Sequence, residues 1–245
     1  MLFSKEYEVK YYEQNLSGDF KESALLNILQ DIATLSAESL GFGPTFVFAN
    51  NYAWVVLKYH IELYKPLKNL DSIILKTEPR GISKLYAFRD FSIYTKEGTL
   101  LGKAISTWAL IDMQTRRMLP TQKTLPMMLP YEKRSDDLEY NNIEKIEASQ
   151  FTKEFETRFD DIDINQHVNN SNYIIWALES LPNEFRLKNS VRTIDIKFRK
   201  ELTLGKKVIS ESTINCENEI IKSTHFIKDK DNGEELASVL IKWRC

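Results

Sequence analysis

The stretch from Asp160 to Asn170 reads Asp-Asp-Ile-Asp-Ile-Asn-Gln-His-Val-Asn-Asn. It gathers carboxylates, side-chain amides and one of the chain's three histidines directly ahead of a nonpolar helical pattern. These are groups able to accept, donate and orient a proton. If the backbone is extended, Asp163, Asn165 and His167 project to one side and Ile162, Ile164 and Val168 to the other, which sets three polar groups against an apolar support. The same residue types also cap helices and make turns, and the Asn169-Asn170 pair is read in that way. On spacing alone, His167 fits an ordinary surface or core histidine as well as a catalytic one.

Other chemistries find little support. Gly81-Ile82-Ser83-Lys84-Leu85 lacks the second glycine of a nucleophile elbow, and the chain has no His-Glu-x-x-His, P-loop or complete Gly-x-Gly-x-x-Gly pattern. Metal and nucleotide cofactors are therefore not expected. The two cysteines, Cys216 and the final residue Cys245, build neither a disulfide framework nor a cysteine zinc site, which suits a reduced, cytoplasmic protein.

The elements that must hold such a site come from 245 residues, 42% hydrophobic and 28% charged, with a formal net charge of -2. That much apolar surface with so little net charge offsets the entropy of ordering the backbone, so the chain folds. The balance also argues against a nucleic-acid partner, which calls for a basic excess. The start of the chain lacks the basic and apolar regions of a signal peptide, and no window offers the roughly 20 apolar residues of a membrane span.

An internal echo sets the architecture. Tyr64-Lys65-Pro66, Ile93, Gly98 and Trp108 recur as Phe198-Arg199-Lys200, Ile227, Gly233 and Trp243, about 134 residues later, so the two halves read as copies. Each has a helical pattern followed by strand-like runs. The first helix is expected over about 22–40, capped by Ser17 or Asp19, with Leu25, Ile28, Leu29, Ile32 and Leu35 on one face and Gly41 ending it. The second, about 171–181, follows Asn169 and Asn170 as candidate caps, is apolar nearly all round and should be almost wholly buried. Strands are expected at about 54–64, 72–77, 85–94, 102–112, 191–199, 207–215, 219–228 and 236–243, and short connections favour antiparallel sheet. The expected domains are 1–120 and 151–245, joined by a polar linker over 121–150.

Asp163-Ile164-Asn165-Gln166-His167-Val168-Asn169-Asn170-Ser171-Asn172-Tyr173, with Trp176 and Leu178-Glu179-Ser180 after it, resembles the signature of the acyl-acyl carrier protein thioesterases of plants and bacteria. The resemblance spans essentially the whole chain. It implies an α+β fold of two tandem hotdog modules, each a long central helix wrapped by an antiparallel β-sheet. It also implies hydrolysis of a fatty acyl thioester held on the phosphopantetheine of acyl carrier protein. The family's functional positions fall on Asp163, Asn165, His167 and Glu201, the last of these within Phe198-Arg199-Lys200-Glu201. Without the resemblance, Glu201 reads as a solvated strand-end charge. Plant members often carry cysteine directly after that glutamate; Leu202 stands here, so no thiol acts at that position. Lys197, Arg199, Lys200, Lys206 and Lys207 suggest a basic rim for an acidic carrier protein.

The first copy has only Leu16-Ser17-Gly18-Asp19-Phe20-Lys21 ahead of its helix, so one active site per chain is expected. Phe42, Phe46, Phe48, Tyr52 and Trp54 line an acyl tunnel or are plain core, the latter being the better-supported reading. An acyl-CoA thioesterase of the same fold and a non-catalytic acyl-binding hotdog protein are the alternatives, and a homodimer is compatible with either.

Overall fold

The computed structural model describes residues 2–244. Chain order is β1 (Phe3–Glu8), α1 (Glu22–Ser39), α2 (Pro44–Ala49), β2 (Tyr52–Leu63), β3 (Ser72–Ser83), β4 (Tyr86–Tyr94), β5 (Leu100–Asp112) and α3 (Thr121–Thr124), then β6 (Phe151–Glu156), α4 (Asn170–Glu179), α5 (Asn183–Lys188), β7 (Ser190–Phe198), β8 (Lys207–Glu217), β9 (Ile220–Asp229) and β10 (Glu235–Arg244). The strands form one antiparallel sheet in the order β1-β3-β4-β5-β2-β7-β10-β9-β8-β6. Each half of that order is the other reversed, as two copies of one unit joined edge to edge would give.

Both helices lie where their patterns put them. Leu25, Ile28, Leu29 and Ile32 of α1 are buried, and Leu35 sits at the solvent edge of the same helix. In α4, Tyr173, Ile174, Trp176, Ala177 and Leu178 are buried in one core with the α1 residues and with inward side chains of both sheet halves, such as Ile61, Ile194 and Val239. The cap of α1 differs from expectation. The residue at the N-cap is Lys21, with no side-chain cap bond. Asn15 instead closes the preceding loop, its Oδ1 accepting from Ser17 N (2.9 Å) and Asp19 N (3.0 Å), so Ser17 and Asp19 are held away from the helix end.

Two strands escape the sequence pattern. β1 and β6 are the outermost strands, and each buries so little that no alternating apolar stripe marks it. β3 also continues through Pro79, past the expected end at about residue 77. Its partner β1 pairs only as far as Thr77, so beyond that residue one edge of β3 is free and a missing N–H there breaks no ladder bond. The chain after α3 covers this edge, with Ile82 N donating to Leu129 O (3.0 Å) and Tyr131 N to Ile82 O (2.9 Å). Gly81, at φ 118°, permits that approach; a Cβ there would stand 2.8 Å from Leu129 O.

The seam between the halves is the β2–β7 pair, where His60 lies opposite Asp195. His60 Nδ1 meets Asp195 Oδ1 at 2.9 Å, and Asp195 also accepts from Asn141 N and Asn141 Nδ2, each at 2.8 Å. The connecting segment is thereby tied across the seam. No helix among the described residues is long and apolar enough to cross a membrane.

Candidate active site

The Asp160–Asn170 segment folds as a closed loop and not as an extended strand. A short helical turn at Phe159–Asp161 is followed by a tight turn in which Asp163 N donates to His167 O (2.8 Å) and Gln166 N to Asp163 O (2.9 Å), with Gln166 at φ 66°. Asp163 Oδ1 accepts from Asn165 N at 2.8 Å and holds the turn from inside. The alternation expected of a strand is therefore lost, and Ile164 is 91% exposed instead of forming an apolar support. Asp163, Asn165 and His167 still share one cavity, now because they ring the same turn.

Glu201 arrives from a different part of the chain. Val168 N donates to Leu202 O at 2.8 Å, so the loop is pinned to the segment that leaves β7. That bond places Glu201 Oε2 3.4 Å from His167 Nε2. Asn169 is the N-cap of α4, its Oδ1 accepting from Ser171 N (2.9 Å) and Ser171 Oγ (2.8 Å), as its residue type suggested. Asn172 N donates to Asn169 O, and among the described residues the N–H of Asn170, at the start of the helix, has no protein acceptor. Burial, helped by the negative charges of Glu201 and Asp163, pushes the Tyr173 phenol well above its usual range, so it stays protonated behind the loop.

All four sequence-predicted residues line a cavity of about 560 Å³ between the two halves. The apolar part of its lining comes largely from the first half: Trp54, Val56, Trp108 and Ile111, with Phe198 from the second. Of the proposed tunnel residues, Trp54 lines this cavity, while Phe42 lines a narrow pocket of about 50 Å³ that shares Trp54 and Trp108 with it. Phe46 and Tyr52 pack together as core, and Phe48 is exposed.

Nothing in the residue pattern points to Arg116. It sits in the turn after β5, where Asp112 Oδ1 accepts from Gln114 N (3.0 Å) and Thr115 N (2.7 Å) and Arg116 itself has φ 58°. From there its Nη2 pairs with Glu201 Oε2 across the module boundary. Gln30 of α1 also reaches the cavity, 3.3 Å from Asn170 Nδ2. Neither lies near the motif in sequence, so no local pattern could have flagged them. Arg199 and Lys200 line the cavity mouth, yet both are engaged, with Glu235 (3.3 Å) and with Glu234. Lys206 is paired with Asp231 at 3.0 Å. The basic rim is thus partly neutralised.

The first half repeats the loop without its chemistry. Asn15 N donates to Asp19 O (2.8 Å), Gly18 N to Asn15 O (2.9 Å) and Phe20 N to Leu67 O (2.7 Å), matching bond for bond the loop before α4. Asn15, Ser17, Asp19 and Pro66 hold the places of Asp163, Asn165, His167 and Glu201. The cavity there is larger, about 840 Å³, but no imidazole lines it and Pro66 stands where Glu201 does in the other; its glutamates, Glu22 and Glu179, come from the helices. Size alone does not mark the reactive site.

Comparison with known proteins agrees with this division. Residues 1–125 match the acyl-ACP thioesterase N-terminal domain and residues 143–245 the acyl-ACP thioesterase C-terminal domain. An oleoyl-acyl carrier protein thioesterase from Arabidopsis thaliana is 26% identical over 99% of this chain and 76% of its own length. Among solved structures, an acyl-ACP thioesterase from Bacteroides thetaiotaomicron superposes with a TM-score of 0.87 at 22% identity, covering 99% of this chain and 98% of that one. A 12:0-ACP thioesterase from Umbellularia californica gives 0.86 at 20%, covering 99% and 94%. The last two carry the fold, a tandem hotdog of α+β class. With family models matched on both halves, and with the motif loop and its distant glutamate facing one cavity, this chain belongs to the acyl-ACP thioesterase family.

Proposed function

We infer that the protein hydrolyses the thioester of fatty acyl-acyl carrier protein, releasing free fatty acid and the carrier thiol, with Glu201, His167, Asn165 and Asp163 as its working groups. The observation that carries this reading is their convergence on one cavity that apolar side chains of both halves also line. A thioester needs a delivered nucleophile, a place for the oxyanion and a proton for the departing sulfur.

Arg116 and His167 both meet Oε2 of Glu201, which leaves Oε1 to take the proton of an attacking water. The water oxygen bonds to the carbonyl carbon, and the carbonyl becomes an oxyanion. Asn165 Nδ2, 3.5 Å from Asp163 Oδ2, and the N–H of Asn170, at the positive end of α4, are the donors assigned to it. When the tetrahedral species collapses, the C–S bond breaks and the proton held by Glu201 passes, directly or through His167, to the thiolate. Asp163 keeps Asn165 and His167 on one turn. A cysteine nucleophile has no place here: Leu202 is buried after Glu201, Cys216 lies exposed on β8, and Cys245 lies outside the described residues.

The first module, over 1–120, supplies the acyl pocket; the second, over 151–245, the reactive groups; and 121–150 links them. One reactive site per chain follows from the substitutions at Asn15, Ser17, Asp19 and Pro66. The test is release of free thiol from one acyl chain carried either on acyl carrier protein or on CoA. Faster turnover of the carrier-bound form is expected; preference for CoA would overturn the assigned substrate, and no thiol from either would overturn the activity.

A further inference from the structure

The narrow pocket that shares Trp54 and Trp108 with the catalytic cavity has a cation in its lining. Arg89 of β4 is 6% exposed, points toward α1 and lines that pocket with Ala37, Phe42 and Met128. Its Nη1 donates to Ser36 Oγ (3.0 Å) and Thr77 Oγ1 (3.2 Å), both neutral. Among the described residues, Nε and Nη2 have no protein acceptor and no carboxylate pairs with the guanidinium. Burial lowers its pKa to about 10, which still leaves it charged at neutral pH.

The fold treats its neighbour differently. Arg80, buried one strand away, is paired with both Asp90 and Asp137. An uncompensated buried cation is costly, and interiors normally supply the anion. A second polar group near Arg89 is also unmet: the hydroxyl of Tyr59, 1% exposed and within electrostatic reach of the guanidinium, has no hydrogen-bond partner. Tyr59 stands edge-on to Trp108 at 6.3 Å, so this group lies behind the wall that the pocket shares with the catalytic cavity. A cation with unmet donors therefore lines a pocket that is apolar apart from Thr34.

We propose that Arg89, with Tyr59 behind it, gives the acyl pocket a polar floor that selects substrates by the chemistry of the chain end. A saturated chain is accepted only while its methyl group stops short of Arg89; a longer chain is accepted when its far end carries an oxygen that can take the free N–H groups. The substrate class added is the ω-oxygenated acyl thioester. This rests on the thioesterase reading above. A methyl pressed against the guanidinium strips it of water and returns no bond, whereas a hydroxyl restores one.

The test is a ladder of saturated acyl chains on acyl carrier protein, each compared with its ω-hydroxylated twin of the same length, using the full-length protein. At the length where the saturated chain fails, the twin should turn over at least about tenfold faster, as expected where buried donors gain or lose their partner. Arg89→Met should erase that difference and move the saturated cut-off to longer chains. A twin no better than its parent, or a wild-type profile without a cut-off, overturns the proposal even if the variant does not fold. A folded Arg89→Met protein with an unchanged profile overturns it too. Failure to hydrolyse any chain would instead sink the thioesterase reading and the proposal with it.

Discussion

Acidification should loosen the module that carries the reactive loop, and His225 is the reason. This residue of β9 is fully buried, and desolvation lowers its pKa from 6.5 to about 3. Ser223 Oγ accepts from Trp243 Nε1 (2.8 Å) and lies 2.9 Å from His225 Nε2, so its own proton is best placed on that nitrogen. The ring's proton then sits on Nδ1, facing Ser180 Oγ at 3.4 Å just past the end of α4. Among the described residues, no carboxylate pairs with the ring to stabilise a second proton on it. Between pH 6.5 and about 3 the unfolded chain therefore binds one proton that the folded chain refuses, and stability falls as pH falls. The slope is about 1.4 kcal/mol per pH unit, or roughly 2 kcal/mol at pH 5, a large part of a total of about 5–15 kcal/mol. His60 runs the other way: burial lowers its pKa, but Asp195 and Glu62 together outweigh that and raise it, so its contribution is complete below 6.5 and is lost only as pH rises. Glu22, whose pKa burial raises, gains stability on acidification and partly offsets the loss. Urea unfolding of the wild type and of His225→Gln at pH 7.5 and 5.0 isolates the effect, since those other groups cancel in the difference. The wild type should lose about 2 kcal/mol more than the variant over this interval. Equal losses would refute the reasoning.

Glu201→Gln should lower thioester hydrolysis by about a hundredfold or more with an unchanged melting temperature, and His167→Ala and Asn165→Ala should behave alike; parental turnover in folded variants would remove these residues from the site. The Cys216→Ser, Cys245→Ser double variant should retain activity in the same thiol-release assay, whereas a folded, inactive protein would restore a thiol mechanism. Arg116 and Glu201 are both well exposed, so Arg116→Met should leave the melting temperature almost unmoved. If Arg116 positions the carboxylate, the variant should show a lower kcat and a shifted pH profile; unchanged values of both would make it a bystander. Reversing Arg199 and Lys200 to Glu should slow hydrolysis on acyl carrier protein more than on CoA, and the gap should close with added salt; equal losses would mark an ordinary solvated charge run.

Much of this was readable along the chain because it depends on local periodicity. The apolar spacing of α1 and α4, the stop at Gly41, the cap at Asn169 and eight of the ten described strands follow from what each segment buries on its own. The repeat, read from matched residues, gave the tandem architecture, and the long motif gave the family. Strands β1 and β6 were hidden because an edge strand needs no apolar face, only a neighbour's free backbone groups. The shape of the reactive turn stayed open because Asp163 and Gln166 close it through backbone bonds that residue types do not announce.

Only the tertiary structure decided which residues meet. Glu201 reaches His167 through one backbone bond between Val168 and Leu202, and Arg116 joins them from 85 residues away because the turn after β5 abuts the second module. Arg89 looks in sequence like any strand arginine, alternating toward one face; its isolation from carboxylates exists only once α1 lies over the sheet. Segments are chosen by what each buries locally, whereas a site is made where distant segments leave polar groups facing one cavity, and that depends on how the whole sheet closes on its two helices.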